Sequence, residues 1–458
     1  MEMKVHNSLT RREEPFAPLA DNTVRFYTCG PTVYNFAHIG NFRAYAFEDV
    51  LRRTMQFNGM KVKQVMNLTD VDDKTIRGAN AAGVALADYT KTYKDAFFAD
   101  LKALNIQPAE VYPAATDHIP EMIALVEKLV EKGVAYKSDD GSVYFSVTKF
   151  PGYGKLAHID FDNQRTGARC AADEYDKENV GDFALWKAWE ESDGPVGWDS
   201  PWGRGRPGWH IECSAMAMKY LGETFDLHTG GIDNLFPHHE NEIAQAEAAT
   251  GKDFVKTWMH CAHLKVNGEK MSKSAGNFFT LRDLIAKGWS GREIRYVLVN
   301  SHYRQGLNFA FSALEDARKS LARIDTCVDA LEARANGEAA PAFAAKCLDD
   351  FAAAVNDDLN LPKAFAALFE LVRETNASGT CSAGVLETFR KMDEVLGVVF
   401  FGKAAKAEVP EEIKAMLELR AEARKAKNWA ESDRLRDEIA AKGWIVKDSK
   451  DGQSVSAK

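Results

Sequence analysis

The sequence predicts an α/β chain: a parallel sheet split by an insertion, followed by an all-α helical bundle and a small C-terminal module. Three observations carry this reading. An apolar strand, a glycine turn, a helix and a second strand follow one another between residues 24 and 68. A stretch rich in Gly, Trp and charge, without long periodicity, interrupts the pattern up to about residue 202. From residue 311 onward the chain reads almost entirely helical.

Residues 24–28 form the first strand, and Cys29-Gly30-Pro31 turns the chain. From His38 an apolar period of three to four (Ile39, Phe42, Tyr45, Ala46, Val50) predicts a helix that stops near Asn58-Gly59. Residues 62–68 form a second, parallel strand, which makes a Rossmann-like βαβ unit. Ligands favour the carboxyl ends of such strands, where Cys29-Gly30 and Thr69-Asp70 lie. After Asp117 come a helix over 119–132 and a hairpin with strands at 134–137 and 143–147 around Asp139-Asp140-Gly141. A strand returns at Phe225-Asp226-Leu227-His228, followed by a Gly230-Gly231 turn, and Pro237 opens a helix that runs to Thr250-Gly251. The tail over 411–443 reads as one charged helix. The expected division is 1–116 and 205–260 as two halves of the nucleotide fold and 117–204 as the insertion. It continues with 261–310 as a connector, 311–402 as the bundle and 403–458 as the C-terminal module.

Composition narrows the class. A chain of 458 residues, 45% hydrophobic and 27% charged, can bury a large core. There is no apolar run at the N-terminus and no stretch near the ~18 apolar residues of a membrane span, so a cytoplasmic protein without a membrane partner is expected. Seven scattered cysteines argue for reduced thiols, some of them on metal, over a disulfide framework. With a net charge of -9, any nucleic-acid contact must come from local basic patches.

Two constellations carry chemistry. Lys270-Met271-Ser272-Lys273-Ser274, between Gly268 and Gly276, sets two ammonium groups on a loop suited to holding a polyphosphate. A Lys/Ser-rich surface turn is the alternative. The second is a set of metal-binding side chains: His238 and Glu242 stand i and i+4, on one helix face, and Cys29 and Cys213 add thiols. Two thiolates, an imidazole and a carboxylate suit Zn²⁺. Without a CxxC pair, two buried cysteines near a helix start are the competing reading. His239 and Glu240 are expected to be polar residues of the helix start and not additional ligands, and Cys261 a buried strand thiol in preference to a second metal ligand.

The segments Thr28-Cys29-Gly30-Pro31-Thr32-Val33-Tyr34, His38-Ile39-Gly40-Asn41, Asn67-Leu68-Thr69-Asp70-Val71-Asp72-Asp73-Lys74, Gly208-Trp209-His210-Ile211-Glu212-Cys213-Ser214, Phe236-Pro237-His238-His239-Glu240-Asn241-Glu242 and Lys270-Met271-Ser272-Lys273-Ser274 together resemble the cysteinyl-tRNA synthetase family of class I aminoacyl-tRNA synthetases, in family order. The resemblance implies a ligase that activates L-cysteine with ATP, accompanied by Mg²⁺, and charges tRNA(Cys). It implies one zinc ion per chain on Cys29, Cys213, His238 and Glu242, which selects the substrate thiolate. Gly30, Thr69, Trp209 and Asp233 would bind cysteine, with His228 as a further lining residue. His38, Gly40, Asn41, Lys270 and Lys273 would bind ATP, and His38, Asn41, Lys270 and Lys273 would act in catalysis. Asn41 stands where the usual signature carries histidine. The tail would read the anticodon, with Trp429 and Trp444 available for stacking. A monomer is favoured. The alternatives are a paralogous ligase joining cysteine to an amino sugar and a non-catalytic RNA-binding relative.

Overall fold

Four parallel strands form the sheet of the nucleotide half: β1 (Thr23–Thr28), β2 (Lys61–Met66), β3 (Phe225–Gly231) and β4 (Val255–Cys261), in the spatial order β4-β3-β1-β2. The computed structural model describes residues 2–159, 181–271, 276–403, 410–449 and 452–457. It falls into two compact units, residues 1–401 and 402–458. Val24 and Phe26 on β1 and Phe225 and Leu227 on β3 are fully buried, as central strands of a sheet covered on both faces require.

Helix α1 (Ile39–Phe57) crosses from β1 to β2, and α3 (Glu240–Thr250) crosses from β3 to β4. The two crossovers leave the centre of the sheet in opposite directions. The crevice at the carboxyl ends of β1 and β3 is therefore a topological switch point, the place where open α/β sheets bind ligands. The register aligns those ends: Thr28 pairs with both Met66 and Thr229. The Gly230-Gly231 pair belongs to β3 itself, opposite His260 and Cys261, so the turn falls at Ile232-Asp233, later than expected.

The insertion holds more structure than its sequence suggests. The hairpin strands, Ala135–Lys137 and Val143–Phe145, extend into a four-stranded antiparallel sheet with Phe183–Ala188 and Gly205–Pro207. The last of these strands runs directly into helix α2 (Trp209–Leu221). Gly208 makes that junction possible, since a Cβ there would lie 2.0 Å from the Ala184 carbonyl oxygen. Beyond the connector come four bundle helices, Phe311–Arg334, Ala342–Asn356, Leu361–Ser378 and Ala383–Leu396.

The C-terminal unit corrects the expectation of a single charged helix. It has two helices, Glu411–Lys425 and Trp429–Ala441, broken where Lys427 turns to φ +57, and then an antiparallel hairpin of Trp444–Ser449 with Gly452–Ala457. Ile413, Met416, Leu435 and Ile439 form its small core, against which Trp444 packs. No helix among the described residues is long and apolar enough to cross a membrane.

Candidate metal and substrate site

Cys29 leaves the end of β1 at the switch point. Gly30 follows because the chain passes so close to β2 that a Cβ would sit 1.7 Å from the Asn67 carbonyl oxygen. Cys213 projects from the first turns of α2. His238 lies in a wide turn over Leu235–His239 that precedes the regular α3, so the helix opens at Glu240 and not at Pro237. His238 Nε2 still stands 3.1 Å from Glu242 Oε1.

The Cys29 and Cys213 sulfurs, a His238 ring nitrogen and a Glu242 carboxylate oxygen all lie within 4.8 Å of one another. Ligand bonds of about 2.0–2.3 Å to one centre demand separations of this order. A second set, Cys29, His228, His239 and Glu242, meets the same distance test. Hydrogen bonding separates the two. His228 places Nδ1 3.2 Å from the Thr229 carbonyl and Nε2 3.0 Å from Glu242 Oε2. His239 places Nδ1 2.8 Å from His260 Nε2 and Nε2 3.3 Å from Cys29 Sγ. Both rings are fully engaged. Glu242 Oε1, in contrast, is buried without a hydrogen bond and faces His238 Nε2 at 3.1 Å, while the other nitrogen of that ring, Nδ1, lies 2.8 Å from His210 Nδ1. Cys29, Cys213, His238 and Glu242 are therefore the set with lone pairs turned to a common centre, Cys29 while also accepting from His239, and this donor set fits zinc.

The surrounding rings orient the ligands. Ser8 Oγ lies 2.7 Å from His260 Nδ1. A hydrogen on Ser8, then on His260 Nε2, then on His239 Nε2 gives one consistent donor chain ending on the Cys29 sulfur. Burial pushes the Cys29 thiol and the Glu242 carboxyl well above their ordinary ranges, with Cys213 adding to the shift at Cys29. Burial also holds His238 and His239 well below theirs and lowers His228 and His260 to about 3. These imidazoles are neutral at pH 7. Neutrality suits both metal ligation and uncharged support.

His239 and Glu240 do stand at the helix start, as its N-cap and first residue, but both are buried and packed into the fold. His239 is fully buried against Cys29, and the buried Glu240 carboxylate accepts from the Gly154, Leu156 and Ala157 amides at 2.8, 2.9 and 2.9 Å. Glu240 thus fastens the insertion to the ligand helix. Cys261 is a buried strand thiol as expected, with burial raising it to about 11. Cys327 and Cys347 lie in bundle helices, and Cys170 falls outside the described residues.

Trp209 is 44% exposed and stacks on His238 with ring centroids 4.2 Å apart. Thr69 follows β2 and donates to Glu212 Oε2 at 2.9 Å. Asp233 lies exposed in the turn after β3, close enough to His38 for its charge to oppose the lowering that burial imposes on that imidazole.

His38 is the N-cap of α1. Its Nδ1 accepts from the Asn41 amide at 3.1 Å, and its own amide donates to Asn41 Oδ1 at 3.1 Å, a reciprocal capping box. With Nδ1 taken as acceptor, the neutral ring carries its hydrogen on Nε2, free to donate to an anion at the helix N-terminus. Met271 packs over Gly40, where an added Cβ would meet its Cε at 3.1 Å, and Thr280 bridges His38. The first residue after Lys270 and the segment after the lysine motif thus both reach the signature helix. Lys270 ends a short strand paired with Lys265, and Lys273 falls outside the described residues.

Residues 15–319 match the family described as tRNA synthetases class I (C) catalytic domain. Residues 350–401 match the DALR domain and 406–455 the cysteinyl-tRNA ligase anticodon binding domain. The chain is 50% identical over 464 residues to the cysteine–tRNA ligase of Protochlamydia amoebophila (strain UWE25), covering 98% of this chain and 97% of that one. It is 49% identical over 463 residues to that of Chlamydia pneumoniae, again covering 98% and 97%. In fold it resembles Mycobacterium tuberculosis methionyl-tRNA synthetase in complex with methionyl-adenylate (TM-score 0.60, 16% identity, 82% of this chain and 90% of that one). It also resembles the Agrobacterium radiobacter K84 agnB2 LeuRS–tRNA–LeuAMS ternary complex (TM-score 0.59, 11% identity, 84% and 85%). A family match over most of the chain and half-identity along nearly all of it agree: the chain belongs to the cysteine–tRNA ligase family of class I tRNA synthetases.

Proposed function

We propose that this chain joins L-cysteine to tRNA(Cys) in two steps, through a cysteinyl-adenylate. The observation that carries the reading is the convergence of Cys29, Cys213, His238 and Glu242 at the switch point of the class I fold. These four would hold one zinc ion, which when bound offers the substrate thiolate a position that a serine hydroxyl fills poorly. Trp209 covers the amino acid, Gly30 and Thr69 hydrogen-bond it, and Asp233 takes its ammonium group. In the first step a carboxylate oxygen of cysteine attacks the α-phosphorus of ATP, and pyrophosphate leaves, accompanied by Mg²⁺. No side chain acts as nucleophile, so catalysis is positioning and electrostatics. His38 donates from Nε2 to the phosphate region at the N-terminus of α1, Gly40 lets the nucleotide approach, and Asn41 holds the His38 ring. Lys270 and Lys273 neutralise charge on the α-phosphate and the departing pyrophosphate. In the second step a terminal ribose hydroxyl of the tRNA attacks the acyl carbon, and AMP leaves.

Within this reading, residues 1–116 and 205–260 are the catalytic halves and 117–204 the insertion. Residues 261–310 carry the lysine loop, 311–402 form the bundle, and 403–458 read the anticodon, working as a cytoplasmic monomer. The match over 406–455 supports the last assignment. Cysteine-dependent exchange of labelled pyrophosphate into ATP, followed by charging of tRNA(Cys), tests the proposal. Exchange without charging would instead favour a ligase that passes cysteine to an amino sugar. Absence of exchange would favour a non-catalytic RNA-binding relative.

A further inference from the structure

Helix α2 presents Trp209, Glu212 and Cys213 on one face, at i, i+3 and i+4. Trp209 and Cys213 belong to the site above; Glu212 is fully buried between them and no step yet uses it. It ends a hydrogen-bonded brace. The Gly30 amide donates to Asn67 Oδ1 at 2.9 Å, Asn67 Nδ2 donates to Thr69 Oγ1 at 3.2 Å, and Thr69 Oγ1 donates to Glu212 Oε2 at 2.9 Å. The direction is fixed at its first link: a flipped Asn67 amide would set two donors face to face. The brace begins beside the Cys29 thiol and ends beside the Cys213 thiol.

A threonine hydroxyl has one hydrogen and two lone pairs. On Thr69 the hydrogen goes to Glu212 and one lone pair to Asn67, which leaves a single lone pair. We propose that Glu212 is a positioning residue for the amino-acid site: by holding the Thr69 hydrogen it makes that hydroxyl an acceptor only, matched to the α-ammonium group of the substrate. This rests on the reading of Thr69 as an amino-acid contact. Without Glu212 the hydroxyl rotates and offers its hydrogen toward the ammonium donors, which repels them. A role confined to holding α2 in place would instead disturb every ligand of the site alike.

The test measures cysteine KM, ATP KM, metal content and the inhibition constant of 3-mercaptopropionate, which keeps thiol and carboxylate but lacks the ammonium group. Glu212→Met should raise the cysteine KM by about tenfold or more. The ATP KM, the metal content and the 3-mercaptopropionate constant should all stay within about twofold. Glu212→Gln, whose amide oxygen still accepts from Thr69, should restore cysteine binding. Thr69→Val should reproduce the selective loss, and adding Glu212→Met to it should cost nothing more. Equal weakening of cysteine and 3-mercaptopropionate, loss of metal, or additive effects in the double variant would overturn the role of Glu212 while leaving Thr69 in the site. An unchanged cysteine KM in Thr69→Val would remove Thr69 itself, and this proposal with it.

Discussion

Asn41 departs from the usual signature, and the structure gives the departure a physical reason. Its side chain takes the His38 amide while its own amide fixes His38 Nδ1, so the residue sets the tautomer of the ring beside it. Asn41→Ala removes one half of this cap, which should cost about 1 kcal/mol of stability. Adenylate formation should slow by more than ~tenfold, while Asn41→His should change it less. Pre-steady-state pyrophosphate release measures both, and a neutral alanine variant would exclude the capping role from catalysis. Glu48 on α1 is a second residue that sequence reading passed over. It is buried, accepts from Thr229 Oγ1 at 2.9 Å, and its Oε2 has no partner; burial raises its carboxyl to about 8. The folded state therefore binds this proton more tightly than the unfolded chain, whose carboxyl titrates near 4.5. That contribution to stability is present below the unfolded value and is lost as pH rises through about 8. Melting temperature should fall between about pH 5 and 8 from this group, and Glu48→Gln should flatten the fall; identical slopes would place the ionisation elsewhere. The candidate ligand residues were legible because thiols, an i,i+4 His–Glu pair and known motifs announce themselves. Glu48, His228 and His239 were not, because only tertiary packing brings Glu48 beside Thr229 and His239 beside Cys29.

The elements divide along the same line. Strand β1 and helix α1 showed plain apolar periods and lie within a residue or so of their expected bounds. Phe183–Ala188 did not read as a strand because five of its six residues are fully packed, leaving no alternation to see. In the tail, neither glycine nor proline marks the break at Lys427, and the following helix starts on an Asn428 cap that donates nothing visible to a periodicity argument. The charged face there also changes meaning. Arg420 is buried and holds Asp448 through two nitrogens at 2.8 and 2.9 Å, so it serves the fold of this unit and is not open to RNA. Trp444 packs on the small core, whereas Trp429 is 57% exposed with Arg424 over its ring, a surface able to stack on a base. A chain ending at residue 403 should keep cysteine-dependent pyrophosphate exchange within a few-fold and lose most tRNA charging. Undiminished charging by the truncated chain would refute the anticodon role of the last unit.

Across the molecule, sheet order explains why residues so far apart in sequence share one centre. Opposite crossovers from β1 and β3 open the crevice, the insertion delivers α2 into it through Gly208, and Glu240 ties the insertion back to the ligand helix. The proposed amino-acid and phosphate sites then lie at neighbouring strand ends. The central claim is that a metal held at this junction reads the substrate thiol. The most direct measurement replaces the bound metal with cobalt and records its spectrum as amino acids are added. Cysteine should produce a new sulfur-to-metal charge-transfer band and serine none; the band should weaken as pH falls and the substrate thiol stays protonated. Cys213→Ser should lose most of the metal and bind cysteine far more weakly. A metal-free chain that still preferred cysteine to serine, or a cobalt spectrum indifferent to cysteine, would contradict the claim and leave Cys29 and Cys213 as ordinary core thiols.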